Sequence, residues 1–225
     1  MIISLHLPKT AGTSFSADLE EHFGTGYLKD YADLPINTPT YERNRAALQA
    51  SLSNAEQGFE GIGCIHGHFL PLKYLLLATK RQVTFVTWMR HPVERVLSHY
   101  FYWKRIYDPT TAPGLHRKVI EEDWSVERFC LGPEVKNLYG QFLWGFPLEN
   151  FDFIGITEFY EDDHAYFAQR YLQRPIEPRK LNVGEKGEGD YPVEASFRKE
   201  IESFHAGDME MYQWALERRR KRSSL

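Results

Sequence analysis

Only two cysteines, Cys64 and Cys130, occur in the 225-residue chain. Two thiols are too few for a disulfide framework, and a reducing compartment suits them. Neither sign of charge dominates: 27 Lys and Arg face 31 Asp and Glu, a formal net charge of −4. Such a balance gives no global attraction to nucleic acid or to an anionic membrane face, so any bound anion has to be held by a local cluster. No apolar run approaches the ~18 residues of a membrane span, and the longest, Tyr74 to Ala78, is far too short. The first apolar run starts at Ile2, which leaves no space for the charged start and separate apolar stretch of a secretory signal. These absences together predict a cytoplasmic protein without a membrane span and without a nucleic-acid partner. With no internal repeat and no long linker, residues 1–225 are expected to form a single domain.

What is present is ordinary globular material, 42% hydrophobic and 26% charged, which excludes wholesale disorder. Ile2 to Leu7 reads as a buried parallel strand, and Thr13 to Phe23 as a helix with Phe15, Leu19 and Phe23 on one face. The turn-rich stretch from Thr25 to Glu42 reads as irregular. A helix is expected from about Tyr41 to Ala55, a strand from Ile62 to His66 and a short helix from Pro71 to Lys80. Val83 to Met89 is the clearest strand, β-branched and aromatic. A helix follows with Pro92 in its first turn, where proline is tolerated. Tyr107 to Lys118 reads as a loop, followed by short helices around Ser125 to Cys130 and Val135 to Gly145. A strand within Phe151 to Glu158 precedes a helix from Tyr160 to Leu172, with Thr157 as a candidate N-cap. Arg179 to Pro192 is a glycine-containing loop. Helices are expected from Glu194 to Phe204 and from Asp208 onward, with Gly207 as a stop and Asp208 as an N-cap. The basic run Arg218 to Arg222 reads as a solvated helix end that could attract a polyanion. Strands alternating with helices predict an α/β fold, a mostly parallel sheet flanked by helices on both faces. In such sheets ligands bind at the carboxyl ends of the strands.

The segment "LHLPKTAGTS" joins the first strand to the first helix. A strand running into Gly and hydroxyl residues at a helix start offers backbone N–H groups and the positive end of the helix dipole to an anion. Gly12 allows close approach, Lys9 adds a point charge, and Thr13 and Ser14 add hydroxyls. The triphosphate-binding pattern G-x-x-x-x-G-K-[ST] places Lys directly after its second Gly. Here Thr13 holds that place and Lys9 precedes Gly12, which weakens an ATPase reading. A solvated turn with an exposed lysine is the plainer alternative. A second candidate follows the strongest strand: "RHPVERVLSHY" puts Arg90 at a strand end beside a helix start, with Ser98 two turns in. The planar fork of Arg matches phosphate oxygens. Arg95, on the same helix, reads as a surface residue that could pair with Glu94, Glu121 or Glu122.

In order and context the two segments "PKTAGTS" and "RHPVERVLSHY" resemble the paired phosphate motifs of sulfotransferases that use 3′-phosphoadenosine 5′-phosphosulfate (PAPS). The resemblance implies a P-loop NTPase-like version of the α/β fold. It implies that Lys9, Thr10, Ala11, Gly12, Thr13 and Ser14 hold the 5′-phosphosulfate, and that Arg90 and Ser98 hold the 3′-phosphate. A donor with two separated phosphates needs two anion sites, and Lys and Arg can replace a metal, so none is expected. "LNVGEKGEG" is similar to the family's late loop over the donor, which implicates Asn182, Gly184 and Lys186.

In "CIHGHF", residues two apart in an extended chain point the same way, so His66 and His68 could face one pocket. Imidazole titrates near neutrality and suits proton abstraction from an alcohol. The pair is similar to the His-x-His of heparan-type uronyl 2-O-sulfotransferases. That likeness implies His68 as general base, His66 assisting, and Lys9 acting on the leaving phosphate. Two readings stay open beside it: the histidines as structural hydrogen-bonders, or Cys64, His66 and His68 as metal ligands lacking an evident fourth. Asn137 and Gln141, four apart on one helical face, are candidates for binding sugar hydroxyls. Tyr139 or Trp144 could stack on a ring, although Phe142, Leu143 and Trp144 read better as core. The expected function is sulfuryl transfer to an acceptor hydroxyl, on a saccharide by resemblance. The alternatives are an ATP-dependent small-molecule kinase and a non-catalytic anion-binding module.

Overall fold

The computed structural model describes residues 1–33, 38–173, 191 and 193–223. Five strands, β1 (Ile2–Leu5), β2 (Tyr27–Lys29), β3 (Cys64–Gly67), β4 (Thr84–Met89) and β5 (Phe153–Ile156), form one sheet in the order β2-β3-β1-β4-β5. Every neighbouring pair is parallel. β1 lies at the centre, with Ser4 abreast of His66 in β3 and of Val86 in β4. All four of its residues are buried, which is why it reads as an uninterrupted apolar run instead of an alternating one.

Alternation instead sorts residues between the two faces. Ile2, Val86, Trp88 and Phe153 pack with Phe15 and Leu19 of α1 (Gly12–Phe23) and Phe167 of α7 (Tyr160–Phe167). A buried hydrogen bond from His164 to Asp18, 2.9 Å, ties those two helices together. On the opposite face, Ile3, Leu5, Phe85, Met89 and Ile154 pack with α6 (Leu138–Phe142) and with Tyr212 and Ala215 of α9 (Ala206–Ser223). α2 (Thr40–Gln57) runs along the two 3₁₀ turns Pro71–Tyr74 and Leu76–Thr79. A third apolar cluster gathers α3 (Pro92–Ile106), α4 (Gly114–Glu121), α5 (Val126–Cys130) and α8 (Ala195–Phe204) around Val96, Phe129 and Ile201.

The α/β class and the parallel sheet with helices on both faces are as expected. Several local readings need correction. The stretch read as irregular contains β2, a three-residue edge strand with only Tyr27 partly buried, so it leaves no apolar run to detect. The helix expected over Pro71 to Lys80 is the pair of 3₁₀ turns. The loop read from Tyr107 to Lys118 gives way to α4 at Gly114. Thr157 caps nothing; its hydroxyl donates to Met89 O at 3.0 Å. Trp144 is 39% exposed, whereas Phe142 and Leu143 are core.

The largest correction concerns charge. Arg95 is fully buried, and among the described residues its nearest acid is Asp208, at 3.9 Å. Asp208 does not cap its own helix, which begins at Ala206. Its Oδ1 accepts from the N–H groups of Tyr139 and Gly140, so it caps α6 from across the fold. The basic run in α9 is likewise anchored. Arg218 donates to Leu148 O and Phe151 O, Arg222 donates to Ile154 O, and Arg219 and Arg222 both pair with Asp163. Those bonds cover the β5 side of the sheet, and unpaired carbonyls there would otherwise need water. Among the described residues, no helix is long and apolar enough to cross a membrane.

Candidate functional site

β1 and β4 are neighbours whose following connections diverge. α1 leads from β1 toward the β2 and β3 side, and β4 leads to β5. Their carboxyl ends therefore flank the crevice where parallel sheets bind ligands. The segment after β1 turns sharply. Lys9 and Ala11 both take left-handed backbone, at φ 68° and 63°, a conformation that costs a non-glycine residue about 1 kcal/mol. Thr10 between them is buried, and its hydroxyl donates to Leu7 O at 2.7 Å, closing the loop. Successive left- and right-handed residues aim backbone N–H groups at one point, the concavity that suits an anion. Ala11 occupies the N-cap position without a side-chain cap, so the first turn of α1 presents its N–H groups there. Ser14 is buried and Thr13 exposed. The Lys9 ammonium lies 3.7 Å from the centre of the Tyr102 ring on α3, a favourable cation–π distance.

Gly12 has a reason the sequence did not show. A Cβ there would sit 1.9 Å from His6 Nε2. The missing side chain makes space for an imidazole as well as for an anion.

That imidazole belongs to a cluster of three. His6 stacks on His66 at 5.3 Å and lies 4.4 Å from His68, ring centre to ring centre. Sequence reasoning found His66 and His68 and missed His6. No sequence signal marks it: His6 stands two residues after Ser4, and it falls abreast of His68 because the strand register sets Ser4 abreast of His66. His66 is 1% exposed, with Nδ1 2.9 Å from Ser4 Oγ. Burial pushes its pKa down to about 3, and the charges of His68 and Lys29 act in the same direction. Burial also lowers His68, partly offset by its hydrogen bond to His6 O. For His6, burial is reinforced by His68, His66 and Lys9. All three rings are therefore neutral near pH 7.

The tautomer of His68 follows from its partner. A carbonyl only accepts, so Nδ1, bonded to His6 O, carries the proton. Nε2 is left with the lone pair, the form a general base needs.

The second segment begins where β4 ends at Met89. Arg90 is 5% exposed, and among the described residues no carboxylate pairs with its guanidinium. The Tyr139 hydroxyl accepts from Arg90 N at 3.0 Å and donates to Arg90 O at 2.6 Å. His91 N donates to Glu158 Oε1 at 2.7 Å. Pro92 opens α3, and Ser98 is 3% exposed on it. His99, next along α3, is lowered by burial and then by the charges of Arg95, Lys9 and His68. The Lys9 contact with Tyr102 and the packing of His6 on His66 and His68 bring α3, the first loop and the histidines to one region.

No family model matches this chain, and no curated protein matches it. The remaining expected residues divide. Asn137 is in left-handed backbone, and its Oδ1 accepts from Asp208 N at 3.3 Å. Gln141 donates through Nε2 to Lys136 O at 2.8 Å. Both amides are thus engaged within the fold. Tyr139 is fully buried, which removes it as a ring for stacking on a ligand. Asn182, Gly184 and Lys186 lie outside the described residues. Among the described residues, no three His, Cys, Asp or Glu side chains are grouped to hold a metal ion. Cys64 is buried, and its thiol pKa is raised by that burial.

Proposed function

We propose that the chain is a sulfotransferase of P-loop-like fold that moves a sulfuryl group from PAPS to an acceptor hydroxyl, on a saccharide by its resemblance. The observation that carries this reading is Arg90: a residue only 5% exposed whose guanidinium has, among the described residues, no carboxylate partner, at the end of the strand next to the first loop. A buried arginine without an acid is costly unless an anion arrives. A second anion-binding element one strand away fits a donor with two separated phosphates better than it fits a single triphosphate. The loop directly after the central strand of a β2-β3-β1-β4-β5 sheet supports the P-loop-like assignment.

The donor supplies an activated sulfuryl group whose bond to the 5′-phosphate oxygen breaks as the acceptor oxygen bonds to sulfur. His68 Nε2 takes the acceptor hydroxyl proton. The electron pair of the broken bond stays on the departing phosphate. Lys9 and the N–H groups at the start of α1 stabilise that charge, and such fixed donors act most strongly where charge builds. Arg90 and Ser98 hold the 3′-phosphate. His66, held by Ser4, stacks on His6, whose carbonyl in turn holds His68. Cys64 and Cys130 are both free and buried, which supports a reducing compartment such as the cytoplasm.

Calorimetric titration with adenosine 3′,5′-bisphosphate and with ATP, each with and without Mg²⁺, tests the reading. Metal-independent binding of the bisphosphate in preference to ATP is the expected result. Failure to bind the bisphosphate overturns the reading, and Mg²⁺-dependent ATP binding favours a kinase. Binding without turnover of PAPS across a panel of saccharide acceptors reduces the chain to an anion-binding module.

A further inference from the structure

Arg90 stands outside regular structure. β4 stops at Met89 and α3 starts at Pro92, so neither the sheet nor the helix dictates where its backbone lies. One hydroxyl does so instead. Tyr139 OH accepts the Arg90 N–H and donates to the Arg90 carbonyl, satisfying both main-chain polar groups of one residue from 49 positions away. The ring beneath it is fully buried against the sheet. Its own backbone is fixed in turn by Asp208, whose Oδ1 accepts from Tyr139 N at 3.0 Å and Gly140 N at 3.4 Å. The other oxygen of Asp208 lies 3.9 Å from Arg95, on the helix that Arg90 introduces. The path therefore closes on itself: Arg90, Tyr139, Asp208, Arg95 and back along α3.

We propose that Tyr139 is a positioning residue for the Arg90 anion site, with Asp208 positioning Tyr139. The ligand that benefits, a 3′-phosphate, rests on the sulfotransferase reading; the clamp on the Arg90 backbone does not.

Tyr139→Phe keeps the ring and removes only the hydroxyl. Two measurements separate the clamp from the ligand. In the ligand-free protein, amide hydrogen exchange at Arg90 should rise about tenfold, in line with one lost hydrogen bond, while Val86 and Thr87 in β4 keep wild-type exchange. In titrations, adenosine 3′,5′-bisphosphate should bind about tenfold more weakly, by the same hydrogen-bond magnitude, with adenosine 5′-phosphate affected by less than about twofold. Unchanged exchange at Arg90 overturns the proposal, and so does an equal loss for the two ligands. A wild-type protein that binds no bisphosphate sinks the sulfotransferase reading, and exchange at Arg90 then decides the clamp alone. If Tyr139→Phe does not fold, Asp208→Asn serves. It keeps an oxygen acceptor for α6 and should raise Arg90 exchange about threefold, the lower end for a weakened hydrogen bond; wild-type exchange at Arg90 in that variant overturns the proposal.

Discussion

The two segments proposed to bind anions are shaped by opposite means. The loop after β1 is shaped by its own residues: Lys9 and Ala11 in left-handed backbone, and Thr10 bonded to Leu7 O three residues back. The segment after β4 is shaped from far away, by Tyr139 at 49 residues' distance and Glu158 at 67. A locally determined site carries its instructions in a contiguous stretch of sequence. A remotely determined one carries only the reacting side chain there, and its support is scattered.

Substitutions can break this contrast, and the largest effect is expected outside both segments. His68→Ala should lower turnover by roughly 10²- to 10⁴-fold, the range for a lost general base, while bisphosphate affinity stays at the wild-type value. A concurrent loss of affinity would make His68 part of an anion site and blur the division. Arg90→Ala comes next: a charge-assisted hydrogen bond is worth about 1.5–3 kcal/mol, or roughly 10- to 100-fold in affinity. The loss should fall on adenosine 3′,5′-bisphosphate and spare adenosine 5′-phosphate, as titration of each ligand will show. Gly12→Ala should weaken both ligands by about tenfold or more, because overpacking of about 1–3 kcal/mol strikes the loop itself. His6→Ala added to Gly12→Ala should restore the lost thermal stability. If it does not, the contact at 1.9 Å is not what the glycine serves.

What was legible in the sequence follows the same division. β1, β3, β4 and β5 were found within a residue or two because strands buried on both faces are rich in apolar residues and carry no charged ones. The loop, the histidine pair and Arg90 could be singled out as candidates because each lies in a short stretch with its own pattern. β2 was missed because a three-residue edge strand buries little. Asp208 and Arg95 were misread because their roles depend on partners with no periodic relation to them; a helical Arg beside a Glu looks the same in sequence whether it faces water or Asp208. His6 was missed for a subtler reason. Its partners lie on the next strand, and only the register between β1 and β3 reveals them.

The smallest expected effect is on pH dependence, and it asks whether the histidines belong with the local site. His66 has its pKa lowered from 6.5 to about 3 in the fold. Between those values the unfolded chain binds a proton that the folded chain refuses. The stabilisation is therefore complete above pH 6.5 and is lost as pH falls, by about 1.4 kcal/mol per pH unit. Asp208, pushed up to about 6 by burial against the pull of Arg95, works in the reverse sense, losing stability as pH rises toward 6. It contributes equally to the wild type and the variant, so it cancels in their difference. His66→Gln should lose less stability than wild type between pH 6.5 and pH 5, read as the change in Tm. An identical slope would mean that His66 takes up its proton freely in the folded state.

The remote support of Arg90 also has a consequence in time. The left-handed turns and the Thr10 to Leu7 bond that bend the first loop are internal to it, so those residues have left the ribosome once α1 has been made. Arg90 can be synthesised, and β4 can join β1, long before its anchor exists, because Asp208 lies 69 residues beyond Tyr139. A nascent chain halted between the two would present a formed first cradle and an unset second one. Of the two halves of the site, one is ready early, and the other waits for α9 to arrive and lock it.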